Sequence, residues 1–237
     1  VLMIIIVPVF ISPLFNKFEP LEDKQLAAEL TALAHRAGIE NPDIYQVNGS
    51  KQSNKINAYF TGMFGTKRIV IYDTMLDNFT RDEILYVMGH EIGHYVKSHI
   101  WKGLFLAIFI IFIAAFLADK FLPKIIDKYR HKIGFATLGD IASFPLLILF
   151  ITVFSFVVQP VQNGISRSYE YACDSYGLQI SGVTDKVAVT AFDKLSVFNL
   201  ADPDPSDIIE FWFYDHPALT KRMENVKTLY MEKQSNL

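Results

Sequence analysis

Two long apolar stretches constrain the fold of this chain more than any other feature. The stretch 103–122 carries no charged residue before Asp119, and the stretch 141–158 carries none at all. Each approaches the roughly 20 apolar residues that cross a bilayer as a helix. The whole chain is 51% hydrophobic with a mean hydropathy of +0.24, which is high for a soluble domain. We therefore predict two transmembrane helices over these stretches, joined by a hairpin loop at 123–140.

Residues 1–15 are also apolar, but they lack a basic start and a small-residue cleavage site, which argues against a signal peptide. We interpret them as a truncated transmembrane helix of a larger membrane protein. Because the hairpin returns the chain to the side that it left, segments 16–102 and 159–237 form two parts of one extramembrane domain. The net charge of -3 and the absence of a basic stripe give no reason to expect nucleic acid.

The extramembrane segments predict helices around a small sheet. Residues 22–37 place apolar side chains on one helical face, which stops at Gly38. Runs of β-branched and aromatic residues predict short strands at 44–47, 58–61 and 68–72.

A capping box, Thr80 to Glu83, predicts that a further helix starts near Arg81. Gly89 and Gly93 lie four residues apart inside this helix and therefore share one face. Their position indicates that either a neighbouring helix or a bound peptide approaches that face closely.

The same helix carries the pattern HExxH, formed by His90, Glu91 and His94. Residues four apart lie one above the other, so both imidazoles can reach one metal ion while Glu91 points to the open coordination position. This arrangement is typical of zinc metallopeptidases, in which the glutamate is the general base that activates water. A helix with surface histidines is the alternative, but the spacing is rare in a chain with six histidines.

Distances along the hairpin predict a third ligand. His94 precedes Gly103 by nine residues, about 13 Å of helix rise, and a ligand on the returning helix should lie a comparable distance beyond Val158. Glu170 lies at a comparable distance beyond Val158, and a carboxylate from a second helix completes a two-histidine zinc site. Asp174 shares the face of Glu170 and is placed to accept a hydrogen bond from a ligand imidazole. A solvated helix glutamate is the alternative for Glu170.

One further residue is placed for a substrate contact. His216 precedes Pro217, a favoured first helical residue, so it should lie at a helix start and face the oxyanion that develops during cleavage. Its alternative role is to cap that helix.

These residues resemble the type I CAAX prenyl endopeptidases, a family of integral-membrane zinc metalloproteases. The motifs that carry the resemblance occur in the family's order: Pro20 to Asp23, Ser53 to Gly62, Lys67 to Thr74, the HExxH stretch, Ser166 to Asp174, and His216-Pro217 with Arg222. The resemblance implies one zinc ion per chain on His90, His94 and Glu170, with Glu91 and His216 catalytic. It also implies that the remaining site residues support the ligands or bind substrate, namely Asn57, Arg167, Asp174 and Arg222. By the same resemblance, the strand edge at 57–61 is expected to pair with an extended substrate peptide.

The implied fold is mostly α, with zincin-like metalloprotease helices and a small β-sheet on a transmembrane hairpin. The implied activity is cleavage of peptide bonds near the C-terminus of prenylated CAAX-type substrates, so the expected partners are a peptide or protein, prenylated or not, and the lipid bilayer. The protein would be multi-pass, in the bacterial inner membrane or the endoplasmic reticulum, with the active site facing the cytosol. Basic residues in the loop 123–140 favour the opposite orientation by the positive-inside rule, but the motifs are more specific.

Two other functions stay open. A heat-induced membrane quality-control metallopeptidase shares the zinc motifs but degrades misfolded membrane proteins, although the stretches 57–60 and 67–70 favour the prenyl-protease branch. A zinc-stabilised membrane scaffold is the non-enzymatic alternative, but a scaffold would not need Glu91.

Overall fold

The computed structural model describes residues 15–63 and 66–235. The truncated helix predicted at 1–15 lies outside them except for its last position. The described chain is mostly helical, as predicted. The strands are β1 (Phe18–Pro20), β2 (Asp43–Val47), β3 (Ala58–Met63) and β4 (Thr66–Tyr72). Within the described residues, the α-helices are α1 (Lys24–Arg36), α2 (Asp73–Asn78), α3 (Arg81–Val96), α4 (His99–Ile133), α5 (Phe144–Ser181), α6 (Asp185–Asn199), α7 (Asp207–Phe213) and α8 (Leu219–Ser235).

The four strands form one mixed sheet in the order β1-β2-β4-β3. β4 is central and pairs parallel with β2 and antiparallel with β3. Its residues Ile69, Val70 and Ile71 are all buried, because helices and loops cover both faces. Within the described residues, β3 is an edge strand, so one side of its backbone is free to pair with another chain.

Helix α3 begins at Arg81, as the capping box predicted. The Thr80 hydroxyl accepts a hydrogen bond from the Glu83 amide at 3.3 Å, and the Glu83 carboxylate accepts one from the Thr80 amide at 2.7 Å. Lys194 of α6 also donates to Glu83 at 2.6 Å. These bonds fix the start of the helix, and its buried apolar side chains, such as Met88 and Ile92, hold it in the core.

Helices α3 and α5 approach each other through glycines. A Cβ atom added at Gly89 would lie 3.1 Å from the Cα atom of Gly177, and one added at Gly177 would lie 3.0 Å from the backbone nitrogen of His90. Gly93 faces Cys173 in the same way. Of the two explanations for the glycine pair in α3, the structure supports close helix packing. This contact brings the backbone of α5 next to the HExxH turn.

Helices α4 and α5 form the predicted hairpin, and both are long and apolar enough to cross a membrane. Their most apolar windows are 0% and 6% buried, so these side chains point outward rather than into a core. The hairpin loop differs from the prediction, because α4 continues to Ile133 and only residues 134–143 connect the helices. Charged side chains within 123–133 do not interrupt a helix whose backbone hydrogen bonds are internal, and Gly134 ends it at a φ of 74°.

Candidate metal centre

Three side chains from two helices converge between α3 and α5. The Nε2 atoms of His90 and His94 lie 3.1 Å apart. The two oxygens of the Glu170 carboxylate lie 3.3 Å from His90 Nε2 and 3.2 Å from His94 Nε2. The HExxH spacing stacks the histidines on α3, and the glycine contact brings α5 close enough for Glu170 to reach both.

Asp174 and Arg222 support this cluster from behind. Asp174 lies one turn beyond Glu170 and accepts a hydrogen bond from His90 Nδ1 at 2.9 Å. Arg222 of α8 donates to Asp174 through Nε at 2.8 Å, and its NH1 atom lies 3.2 Å from Glu170. Asp174 is fully buried and Arg222 nearly so, so each charge has its partner where water cannot reach.

The donor set fits a metal ion. Bonds of about 2.0 Å to a tetrahedral zinc ion separate the ligand atoms by roughly 3.3 Å, close to the separations among His90, His94 and Glu170. Glu170 Oε2 is buried without a hydrogen bond among the described residues. Burial disfavours charge on His90, yet its hydrogen bond to the Asp174 carboxylate and the adjacent carboxylate of Glu170 raise its pKa to about 9. The site therefore favours positive charge, which a bound cation would supply.

Glu91 lies beside the cluster and lines both cavities that open onto it. Burial raises the pKa of its carboxyl above the usual value, although the His90 and His94 imidazoles act in the opposite direction. A carboxylate with a raised pKa takes up a proton more readily, which suits a general base.

His216 reaches the cluster from the turn that precedes α8. Its Nε2 atom lies 3.4 Å from Glu170, and its Nδ1 atom donates to Asp215 at 2.9 Å. The hydrogen bond to Asp215 raises the pKa of His216. Its side chain is 56% exposed, so it faces open space beside the cluster. This position allows an imidazole to donate a hydrogen bond to a bound substrate.

Arg167 does not touch the cluster. It donates from NH1 to the backbone oxygens of Glu210 and Tyr214, at 2.9 and 2.7 Å. Asn163, one turn earlier on α5, donates to the backbone oxygen of Trp212 at 2.7 Å. These bonds tie α7 and the turn before His216 to α5, so Arg167 helps to hold the turn that leads to His216.

Two cavities meet at the cluster, and His90, Glu91, Glu170 and His216 line both. The first has a volume of about 390 Å³ and runs past Asn57, at the start of the edge strand β3. The second, of about 530 Å³, extends between α4 and α5 toward the apolar hairpin. Its walls are mostly apolar, and include Phe60, Ile100, Trp101, Leu104, Leu106 and Ile165.

Sequence reasoning did not find His99, whose Nδ1 atom lies 3.1 Å from His94 Nδ1. Positions five apart do not share a helical face, so helical spacing gives no signal for this contact. The contact depends on a break between α3 and α4, where Ser98 has a φ of 58°. The only signal in the sequence was a third histidine just beyond the HExxH pattern.

The chain matches peptidase family M48 over residues 20–230 and belongs to that family. It is 35% identical to the "Uncharacterized metalloprotease YhfN" of Bacillus subtilis, with 97% of this chain and 52% of the relative covered. It is 33% identical to "CAAX prenyl protease 1" of Saccharomyces cerevisiae, with 94% and 52% covered. The chain thus spans about half the length of these curated relatives.

A solved structure also matches this chain. The crystal structure of S. mikatae Ste24p aligns with a TM-score of 0.81 at 32% sequence identity, and covers 95% of this chain and 55% of that one. These matches confirm the resemblance to the CAAX prenyl endopeptidases and the fold class that it implied. Membership of a metallopeptidase family also implies a metal cofactor, for which His90, His94 and Glu170 are a suitable cluster.

Proposed function

We propose that this chain is the catalytic part of a membrane zinc metalloendopeptidase, with one zinc ion per chain on His90, His94 and Glu170. The observation that carries the proposal is the convergence of these three side chains beside Glu91, within an M48 fold. A scaffold would need the ligands but not a carboxyl group with a raised pKa next to them.

A zinc ion held by His90, His94 and Glu170 would supply Lewis-acid chemistry, which polarises a carbonyl and lowers the pKa of water. Glu91 takes a proton from the attacking water as the water oxygen adds to the carbonyl carbon, and then delivers that proton to the leaving amine. His216, held by Asp215, donates a hydrogen bond to the carbonyl oxygen as negative charge develops there. Asp174 keeps the His90 ring in the tautomer whose Nε2 atom is free to bind metal.

The substrate backbone is proposed to lie along β3. The edge of this strand is free among the described residues, and Asn57 at its start lines the cavity that leads to Glu91. An extended peptide that adds to the edge forms backbone hydrogen bonds without regard to its sequence. Asn57, whose backbone oxygen is already paired with Tyr72, keeps an exposed side chain for the substrate.

We further propose that the substrate is a prenylated, CAAX-type C-terminus. Relatives in yeast and human are named CAAX prenyl protease 1 or its homolog. The apolar cavity beside Trp101 and Leu104 supports this substrate class, because it leads from the cluster toward the two membrane helices. In this proposal the protein is integral to the bacterial inner membrane or the endoplasmic reticulum, multi-pass, and active on the cytosolic side.

The variant Glu91→Gln tests the mechanism. It keeps the shape of the side chain and all three ligands, so it should bind one zinc per chain while peptide cleavage falls by about 10²–10⁴-fold. Metal analysis and single-turnover cleavage on the same purified sample measure the two effects. Undiminished cleavage would exclude Glu91 as the base.

A comparison of three substrates tests the substrate class. A farnesylated CAAX peptide, the same peptide without the lipid, and an unfolded unlipidated protein are compared at equal concentration. Preference for the farnesylated peptide supports the proposal, whereas efficient cleavage of the unfolded protein alone favours the quality-control function.

A further inference from the structure

The two histidines of the HExxH pattern have different partners behind them. His90 Nδ1 faces the carboxylate of Asp174 at 2.9 Å. His94 Nδ1 faces another imidazole, the Nδ1 atom of His99, at 3.1 Å. An Nδ1 to Nδ1 contact at this distance is a hydrogen bond only if one ring carries the proton and the other does not.

The proposed metal site decides which ring is the donor. His94 directs Nε2 toward Glu170 and His90, so a bound ion leaves no proton on that atom. A neutral His94 then carries its proton on Nδ1 and donates it. His99 must accept through an unprotonated Nδ1, and its own proton lies on Nε2.

The surroundings of His99 fix its ring in this position. The ring stacks on Tyr169 with centroids 4.0 Å apart and planes only 8° from parallel. His99 is only 8% exposed, and the buried thiol of Cys173 lies 3.6 Å from its Nδ1 atom. Tyr169 and Cys173 both belong to α5, the helix that supplies Glu170. His99 is therefore held by the same helix as the carboxylate ligand.

We propose that His99 is a positioning residue that accepts a hydrogen bond from His94 and so fixes the tautomer and orientation of this ligand. Asp174 has that role for His90, but there the acceptor is a carboxylate paired with Arg222. The centre thus has one ligand supported by a charged acceptor and one supported by a neutral acceptor. The inference rests on the proposed zinc function, since it concerns the nitrogen that zinc leaves free.

His94, His99 and Cys173 also form a group whose donor atoms are close enough to hold a metal ion of their own. A metal there would need His94 Nδ1 as a ligand, in competition with its donation to His99. Because Nε2 of the same ring already faces Glu170, we assign Nδ1 to the hydrogen bond. The number of zinc ions bound per chain distinguishes these two uses of the ring.

Three substitutions of His99 test the proposal in the full chain, purified in detergent. His99→Phe keeps the stacking on Tyr169 but removes the acceptor, and His99→Asn replaces Nδ1 by an amide oxygen that can accept the same bond. His99→Ala removes both the ring and the acceptor. The readouts are zinc affinity by competition with a chelator, the absorption spectrum of the Co²⁺-substituted protein, and thermal unfolding of the metal-free form.

We expect His99→Phe and His99→Ala to weaken zinc binding by about 10–100-fold, as changes behind metal ligands do elsewhere. His99→Asn should recover most of the affinity and the wild-type Co²⁺ spectrum. The metal-free His99→Phe protein should unfold at the wild-type temperature, because its stacking is kept.

Three results would overturn the inference. They are wild-type zinc affinity in His99→Phe, an affinity in His99→Asn no better than in His99→Phe, and a second zinc ion in the wild type that His99→Phe removes. A wild-type chain that binds no zinc would instead refute the proposed function, so the two failures are distinguishable.

Discussion

The two halves of α5 share one continuous helix but have opposite surroundings. In the first half, large apolar side chains such as Leu149 and Val153 are more than half exposed. In the second half, the buried positions include polar residues, among them Asn163, Glu170 and Asp174. Apolar groups thus face outward where a bilayer would surround them, and polar groups are buried where other elements supply partners.

The difference shows how one helix serves two environments. Each buried polar group in the second half has a partner from another element: the backbone of α7 for Asn163, the histidines of α3 for Glu170, and α8 for Asp174. A buried charge without such a partner costs several kcal/mol. The second half therefore depends on the packing of α3, α7 and α8 against it, whereas the first half depends only on an apolar environment.

Removal of a ligand should give the largest contrast between the halves. Glu170→Ala deletes the only proposed ligand outside α3, so zinc per chain should fall well below one and cleavage by more than the roughly 100-fold typical of residues behind the ligands. Leu149→Ala, on the exposed half of the same helix, is the matched control and should leave zinc content and peptide cleavage unchanged. Full zinc occupancy in Glu170→Ala would remove this residue from the proposed ligands.

A packing substitution should give a smaller contrast. In the variant Gly177→Val, the added side chain would meet the backbone of α3 at His90 and Tyr86. Backbone atoms cannot move aside as a flexible side chain can. We expect a loss of about 1–3 kcal/mol of stability, measured by thermal unfolding in detergent. Gly103→Val is the control, because a Cβ atom there meets no atom within 4 Å. Equal losses in both variants would contradict the close contact between α3 and α5.

Cysteine labelling should distinguish the environments of the two halves of α5, and it does not depend on an activity measurement. The single native cysteine, Cys173, is buried, so an introduced cysteine reports alone. In native membranes, a water-soluble maleimide should label Ser168→Cys readily and Val153→Cys much more slowly, because thiolates form in water and not in an apolar layer. Equal labelling of the two positions would contradict a membrane location for the first half.

Much of the fold could be predicted from the sequence because the patterns are local. The capping box defines the start of α3, and the apolar runs define the central parts of α4 and α5. β1 had no such signal, since it has three residues, one of which is a proline, and forms only by pairing with β2. The end of α4 at Ile133 was also missed, because charged residues are equally compatible with a loop and with a helix outside the membrane.

The site was predictable where its residues share a helix or a regular hairpin. The spacing of His90 and His94 and the counted distance to Glu170 are properties of regular helices. The contacts of Arg167 and His99 depend on irregular segments: the backbone turn after α7 for Arg167, and the break at Ser98 for His99. No period in the sequence encodes such segments, so their contacts were visible only in three dimensions.

The break at Ser98 determines which side of the molecule His99 faces. Five residues of uninterrupted helix turn through about 500°, which would put His99 about 140° around the axis from His94. The left-handed backbone at Ser98 changes this angle, so that His99 in the first turn of α4 lies next to His94. Few residues besides glycine and asparagine adopt that backbone without strain, so the orientation of the proposed ligand His94 depends on the conformational tolerance of a serine four positions away.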